Sequence, residues 1–335
     1  MKWIDMPIVR RDVLGIAGAT ASGLIATSAV AADKSSLVRT NRYRVKNRGI
    51  ELQLYRKRLS TPVRADMPVV LLAHGSTISA LSSFDLQVPG LGRLSMMDEL
   101  ATAGYDVWAL DFDGYGRSGW SGGSSNIADG VGDLQAAAAF IEMQTGQRRL
   151  SFYGQSSGAL RVGALAMVAP DRVDRLALES FVWTGQGSPT LARRRLRVDD
   201  YRRNPTRMLD RGALLEIFTR GEENYNAAIG EAIIANETNG RGAVPSGTYL
   251  DMVTLLPIVD PSRLNFPVII FRGEKDEIAT DTDVLAFFTK LPNRNRQYCE
   301  FAGAGHGLIL GSVRTKLWAS LLAFLPLAGG CDESR

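Results

Sequence analysis

The sequence predicts an α/β protein: a doubly wound, mostly parallel sheet that carries an inserted helical cap. From about residue 43 onward, short β-rich runs alternate with helical patterns, as expected of strands joined by crossover helices. Several runs, such as 68–73 and 105–110, are apolar with little alternation, which suits strands covered on both faces. Between residues 181 and 261 the alternation stops and Arg-rich, mostly helical sequence takes its place. A segment inserted there lies above the carboxyl edge of the sheet, where ligands bind in such folds.

In chain order, residues 43–45 and 50–55 suggest an opening hairpin, and 68–73 a buried strand. A helix over 96–103 stops at Gly104, and 105–110 is the next strand. Residues 127–145 form a long helix with an alanine-rich centre, followed by a strand at 150–153, a helix at 157–169 and a strand at 175–179. After the cap come strand 267–271, helix 282–291, strand 297–301 and a closing helix over 308–324. The domain reading is a core of residues 32–182 and 261–335 with a cap of residues 183–260.

The first 31 residues have the pattern of an export leader. Arg10 and Arg11 precede a weakly hydrophobic run rich in Ala, Gly, Ser and Thr. That run ends in Ala29-Val30-Ala31, which supplies the small residues a signal peptidase requires. Paired arginines of this kind resemble a twin-arginine signal, so the mature protein is expected to be periplasmic or secreted, with no stable membrane insertion after cleavage. The competing reading is an anchor helix over 13–32, long enough to span but weakened by its glycines. An oxidising compartment leaves two readings for Cys299 and Cys331, a disulfide or two free thiols.

Composition narrows the chemistry. The 335 residues include 39 basic and 35 acidic side chains, a net charge of +4 too mild to argue for nucleic acid. Two cysteines exclude a zinc finger or iron–sulfur site, and two histidines make any metal cluster hard to build. No cofactor is called for, and neutral-pH proton transfer by histidine falls to His74 or His306.

The strongest motif is Gly154-Gln155-Ser156-Ser157-Gly158, set between the apolar strand 150–153 and a helix rich in small residues. A nucleophile at a sharp strand–helix turn sits in strained backbone, and glycines on either side remove side chains that would collide across it. Ser156 is the candidate nucleophile, and the N–H of Ser157 is placed to face a developing oxyanion. His74-Gly75-Ser76 follows the strand 68–73, where a second oxyanion donor belongs; the N–H of Ser76 is the candidate, with Thr77 behind it. Asp276 follows the strand 267–271 and His306 follows the last strand. The order Ser, Asp, His along the chain is the one that accompanies such an elbow.

These residues make the chain resemble an α/β-hydrolase over most of its length, from about residue 43 to 327. Asp111-Phe112-Asp113-Gly114-Tyr115-Gly116-Arg117-Ser118 matches a structural turn of that family. The resemblance implies Ser156 as nucleophile, His306 as general base and then acid, and Asp276 as the residue that orients His306. His74 as the base and Glu179 as the acid are the alternatives, the latter because some members place their acid after that strand. Asp281 and Asp283 are expected to complement a helix N-terminus. A serine at the elbow argues against haloalkane dehalogenases and epoxide hydrolases, which place an aspartate there.

The expected activity is hydrolysis of a small carboxylic ester through an acyl-enzyme. Lactone, amide or peptide cleavage would use the same residues, and a non-catalytic binding protein on the same scaffold is the alternative from another class. The cap's first half holds Arg193, Arg194, Arg195, Arg197, Arg202, Arg203, Arg207 and Arg211 against Asp199, Asp200 and Asp210. Either a guanidinium there clamps an anionic substrate, or the arginines form a solvated face paired to the aspartates. Trp183, Phe218, Tyr249 and Met252 either line an acyl pocket or form the cap's own small core, and pocket shape also depends on where Phe84 and Leu86 fall. Substrate identity and oligomeric state stay open.

Overall fold

The computed structural model describes residues 37–60, 67–219, 226–238 and 242–327. The export signal expected over residues 1–31 and Cys331 lie outside them. Among the described residues, ten strands and eleven α-helices run in the order β1 (Val38–Asn47), β2 (Ile50–Leu59), β3 (Val69–Ala73), α1 (Ala80–Phe84), α2 (Met96–Thr102), β4 (Asp106–Asp111), α3 (Ile127–Thr145), β5 (Leu150–Gln155), α4 (Ser157–Val168) and β6 (Val173–Glu179). The inserted segment contributes α5 (Pro189–Arg195), α6 (Val198–Arg203), β7 (Thr206–Met208), α7 (Arg211–Thr219), α8 (Ala227–Thr238), β8 (Ala243–Pro245) and α9 (Gly247–Thr254). The chain then returns through β9 (Val268–Gly273), α10 (Asp281–Lys290), β10 (Arg296–Phe301) and α11 (Arg314–Phe324).

Eight strands form one sheet in the order β1-β2-β4-β3-β5-β6-β9-β10. The β1/β2 and β2/β4 pairs are antiparallel and the remainder parallel, so the fold is the doubly wound, mostly parallel sheet expected. Strands β3, β4, β5 and β9 are buried throughout, because helices cover both faces. The opening hairpin is longer than expected. Arg39, Arg42, Arg44 and Lys46 interrupt the apolar signal of β1, whose alternating burial marks it as a half-solvated edge strand.

Chain order reverses between β3 and β5, with β4 on one side and β6 on the other. At such a switch point the loops leaving two adjacent strands diverge and open a crevice. Here Ala73 at the end of β3 lies opposite Gly154 in β5, so the His74 loop and the Ser156 turn emerge side by side.

One local expectation is corrected and one extended. The closing helix over 308–324 is a 3-10 turn at Leu308–Leu310 followed by α11; Gly311, in extended backbone, ends the first piece. Asp281 and Asp283 both lie in the first turn of α10, as expected, and Asp283 has a further task. Its carboxylate reaches the start of the inserted segment and accepts from the backbone N–H groups of Trp183 (2.9 Å), Thr184 (3.0 Å) and Gly185 (3.1 Å), and from the Thr184 hydroxyl. One buried acid thus satisfies three consecutive amides where the chain leaves the sheet.

Removing that carboxylate strands three donors, each costing about 1–3 kcal/mol when buried. Asp283→Ala is therefore expected to lower unfolding free energy by roughly 2–4 kcal/mol in urea titration at unchanged m-value. A loss below about 0.5 kcal/mol would show that water replaces the carboxylate.

Candidate active site

Ser156 closes β5 at a turn that only small neighbours permit. Its φ of 55° lies in the left-handed region, costly for a residue with a Cβ. A Cβ on Gly154 would stand 2.5 Å from the Gly158 carbonyl oxygen, and one on Gly158 would stand 2.2 Å from the Ala73 carbonyl oxygen. The two glycines let α4 start directly against β5 and the end of β3. The Ser156 N–H donates to the Glu179 carbonyl (2.8 Å), which ties the turn to β6.

The structure brings Ser156, His306 and Asp276 together. The Ser156 hydroxyl donates to His306 Nε2 (2.9 Å), and His306 Nδ1 donates to Asp276 at 2.8–2.9 Å. Asp276 Oδ1 also accepts the N–H groups of Ile278 (2.8 Å) and Ala279 (3.1 Å). Burial works against the Asp276 anion, but His306 and these two amides outweigh it and hold the carboxyl below its ordinary value. The His306 loop reaches its place because Gly273, at the end of β9, has no side chain: a Cβ there would stand 2.1 Å from the Gly305 carbonyl oxygen. Ser180 Oγ donates to the His306 carbonyl (2.7 Å) and fixes the loop from the other side.

Glu179, the alternative acid, is engaged elsewhere. Its carboxyl accepts from the Tyr153 hydroxyl and from Ile309 N–H (3.0 Å). Burial, followed by the nearby Asp276 charge, raises it to about 7 against hydrogen bonds that lower it. His74 is likewise occupied. Nδ1 donates to the Gly75 carbonyl (2.7 Å), and Nε2 accepts the Phe112 N–H (3.2 Å). Burial and then the Arg161 cation push His74 down to about 3, so it stays neutral and braces the loop after β3. In the turn after β4, Asp111 accepts from Ala80 N–H, Arg117 N–H and the Tyr55 hydroxyl, a structural knot beneath the site.

Ser157 is the first residue of α4, so its N–H has no acceptor within the helix. Ser76 is held by three groups: its carbonyl accepts from the Tyr115 hydroxyl (2.8 Å) and Arg207 Nη2 (2.5 Å), and its hydroxyl accepts from Thr248 (2.8 Å). Gly75 keeps this loop tight against the Ser156 turn, its missing Cβ position lying 3.4 Å from Ser156 Cβ. Ser76, Thr77, Ser156 and His306 line a cavity of about 40 Å³, walled by Ile78, Ile278, Ile309, Leu310, Tyr249 and Arg194.

Of the aromatic and Met residues considered for a pocket, Tyr249 lines it. Trp183 donates instead to the Val259 carbonyl (3.0 Å) and packs on Phe287; Met252, Phe84 and Leu86 are core. The Phe218 side chain lies outside the described residues. Seven of the eight cap arginines divide in two, and Arg195 is exposed. Arg197, Arg202 and Arg203 pair with Asp200 and Asp199, Arg193 with Glu277 and Arg211 with Glu231, all on solvated faces. Arg194 and Arg207 turn inward. Sequence spacing carried no signal for this division, since the two kinds alternate along short helices and a strand. Among the described residues, no group of three or more His, Cys, Asp or Glu stands in position to hold a metal ion.

Because Glu179 binds its proton more tightly in the folded chain, its stabilising contribution is full below its ordinary value of 4.5 and is lost as pH rises through about 7. Gln mimics the protonated form. Glu179→Gln is expected to flatten the dependence of Tm on pH between those limits, and a slope equal to that of wild type would place the titration on another group.

The model of the Hydrolase_4 family (serine aminopeptidase, S33) matches residues 93–311. No curated protein matches the chain. Among solved structures, similarity extends to the 2-hydroxy-6-oxo-6-phenylhexa-2,4-dienoate hydrolase from Rhodococcus sp. strain RHA1, with TM-score 0.62 and 20% identity over 86% of this chain and 99% of that one. The epoxide hydrolase A from Mycobacterium thermoresistibile gives 0.63 and 20% over 86% and 98%. A thermophilic esterase from Thermogutta terrifontis gives 0.60 and 19% over 84% and 96%. At these identities the likeness establishes the fold. With the family match covering well over half its length, the chain belongs to the Hydrolase_4 family and is an α/β-fold hydrolase.

Proposed function

We propose that this hydrolase cleaves a carboxylic ester through an acyl-enzyme, and that its leader exports it from the cytoplasm. The observation that carries the reading is the hydrogen-bond chain from Asp276 through His306 to Ser156. A serine hydroxyl is a weak nucleophile at neutral pH, so its proton must leave as it attacks the acyl carbon. His306 Nε2 is within reach to accept that proton, and Asp276 stabilises the imidazolium that forms. The same imidazolium then protonates the leaving alcohol, and His306 next activates the water that attacks the acyl-enzyme. The N–H groups of Ser157 and Ser76, from the turns after β5 and β3, are assigned to the oxyanion.

The family name gives a second reading, peptide or amide cleavage by the same residues. The mostly apolar walls of the cavity favour an ester with a hydrocarbon group. Turnover of matched short-chain esters and anilides separates the two.

A fluorophosphonate probe is expected to label wild type and not Ser156→Ala, with esterase turnover in that variant falling at least ~10⁴-fold. Asp276→Asn is expected to lose on the order of 10⁴-fold while remaining folded. Full activity in Ser156→Ala, or absence of labelling in folded wild type, would overturn the assignment.

A further inference from the structure

Resting on the reading of Ser156 as the attacking group, we infer that the substrate is a short-chain ester bearing a carboxylate, and that Arg194 receives this carboxylate. Arg194 lines the same cavity as Ser156 and His306. Its guanidinium lies over the Tyr249 ring at 3.7 Å; stacking of this kind fixes the plane of a guanidinium, a group whose forked donor pattern matches a carboxylate.

A second guanidinium reinforces the local field. Arg207 lies 4.1 Å from the same ring, anchored on the Ser76 carbonyl and the Thr77 hydroxyl (2.8 Å). No acidic side chain among the described residues lines the cavity. Asp276 is committed to His306 and two amides, and Glu179 to Tyr153 and Ile309. Arg194 is the cation among the residues lining the cavity, and a concave site with a cation and low-dielectric walls concentrates positive potential. The acid-paired arginines on the outer cap surface exert little such effect, being solvated and screened.

The remaining walls set the link between ester and charge. Ile78, Ile278, Ile309 and Leu310 suit a hydrocarbon spacer, and it is short because Arg194 and Ser156 line the same cavity. The substrate class is therefore a half-ester of a short dicarboxylic acid or an ester of a short hydroxy acid.

The test compares substrates that differ in charge and little in shape. Monomethyl glutarate against methyl glutaramate places the charge on the acyl side; O-acetylglycolate against O-acetylglycolamide places it on the alcohol side. Wild type is expected to favour the anion in one pair by ~10- to 100-fold in kcat/KM, the range of a charged hydrogen bond. Arg194→Met is expected to collapse that ratio, Arg194→Lys to retain part of it, and Arg203→Met, on the outer face, to leave it unchanged. In parallel, free glutarate is expected to slow fluorophosphonate labelling of Ser156 in wild type and not in Arg194→Met. If no ester is turned over while labelling and its protection by glutarate persist, the ester reading fails and the anion site stands. A preference for the neutral partners, or a ratio and protection that survive in Arg194→Met, overturns the inference.

Discussion

The site depends on how closely two strand exits can approach. Strands β3 and β5 are paired as far as Ala73 and Gly154, and the chain beyond each must turn at once to leave the sheet without overlapping the other. Gly158 lies against the carbonyls of Ala73 and His74, at separations no Cβ would tolerate. The left-handed backbone at Ser156 is the geometric consequence: a strand that must reverse into a helix within one residue has few other conformations available. Every distance in the Ser156–His306–Asp276 chain is measured from this point. Gly273 repeats the arrangement at β9, where lack of a side chain lets the Gly305 carbonyl settle onto the strand end and carries His306 across to β5.

Around this geometry, burial sorts the carboxyl groups by what they touch. Asp276 and Glu179 follow neighbouring strands and are both buried, yet their proton affinities move in opposite directions. Asp276 faces an imidazole and two amides, all of which favour the anion. Glu179 has the Ile309 amide, the Tyr153 hydroxyl and the Gln155 side chain, and against them stand its burial and the field of Asp276, which favour the acid. Two carboxyls close together rarely remain equally charged, and here the environment leaves the anion on the one that meets His306.

Much of the sheet and the nucleophile turn were legible because their signals are local. Apolar runs of five or six residues mark β3, β4 and β5, and the glycine spacing around Ser156 reports a steric demand that acts within five residues. The elements that escaped have weak or tertiary signals. Five-residue α1 is held by the Asp111 carboxylate accepting Ala80 N–H from 31 residues away, and β7 and β8 are three-residue strands. The destination of Asp283 was hidden because its position in a first helical turn already had a sufficient explanation. The cap arginines could not be sorted at all: Arg193 and Arg194 are neighbours, and one reaches Glu277 at the surface while the other enters the cavity.

The inserted segment does more than roof the cavity. Arg207 in β7 and Thr248 in α9 bind the carbonyl and hydroxyl of Ser76, while Tyr115, from the turn after β4, binds the same carbonyl from within the core. Ser76 is therefore clamped between core and cap. The Tyr115 bond and the His74 brace on Gly75 come from the core, and the Arg207 and Thr248 contacts from the inserted segment. Arg207 also lies against Tyr249, which lines the cavity. The loop assigned to the oxyanion is thus fixed by the same inserted residues that wall the cavity, and the position of Ser76 is tied to the packing of both layers.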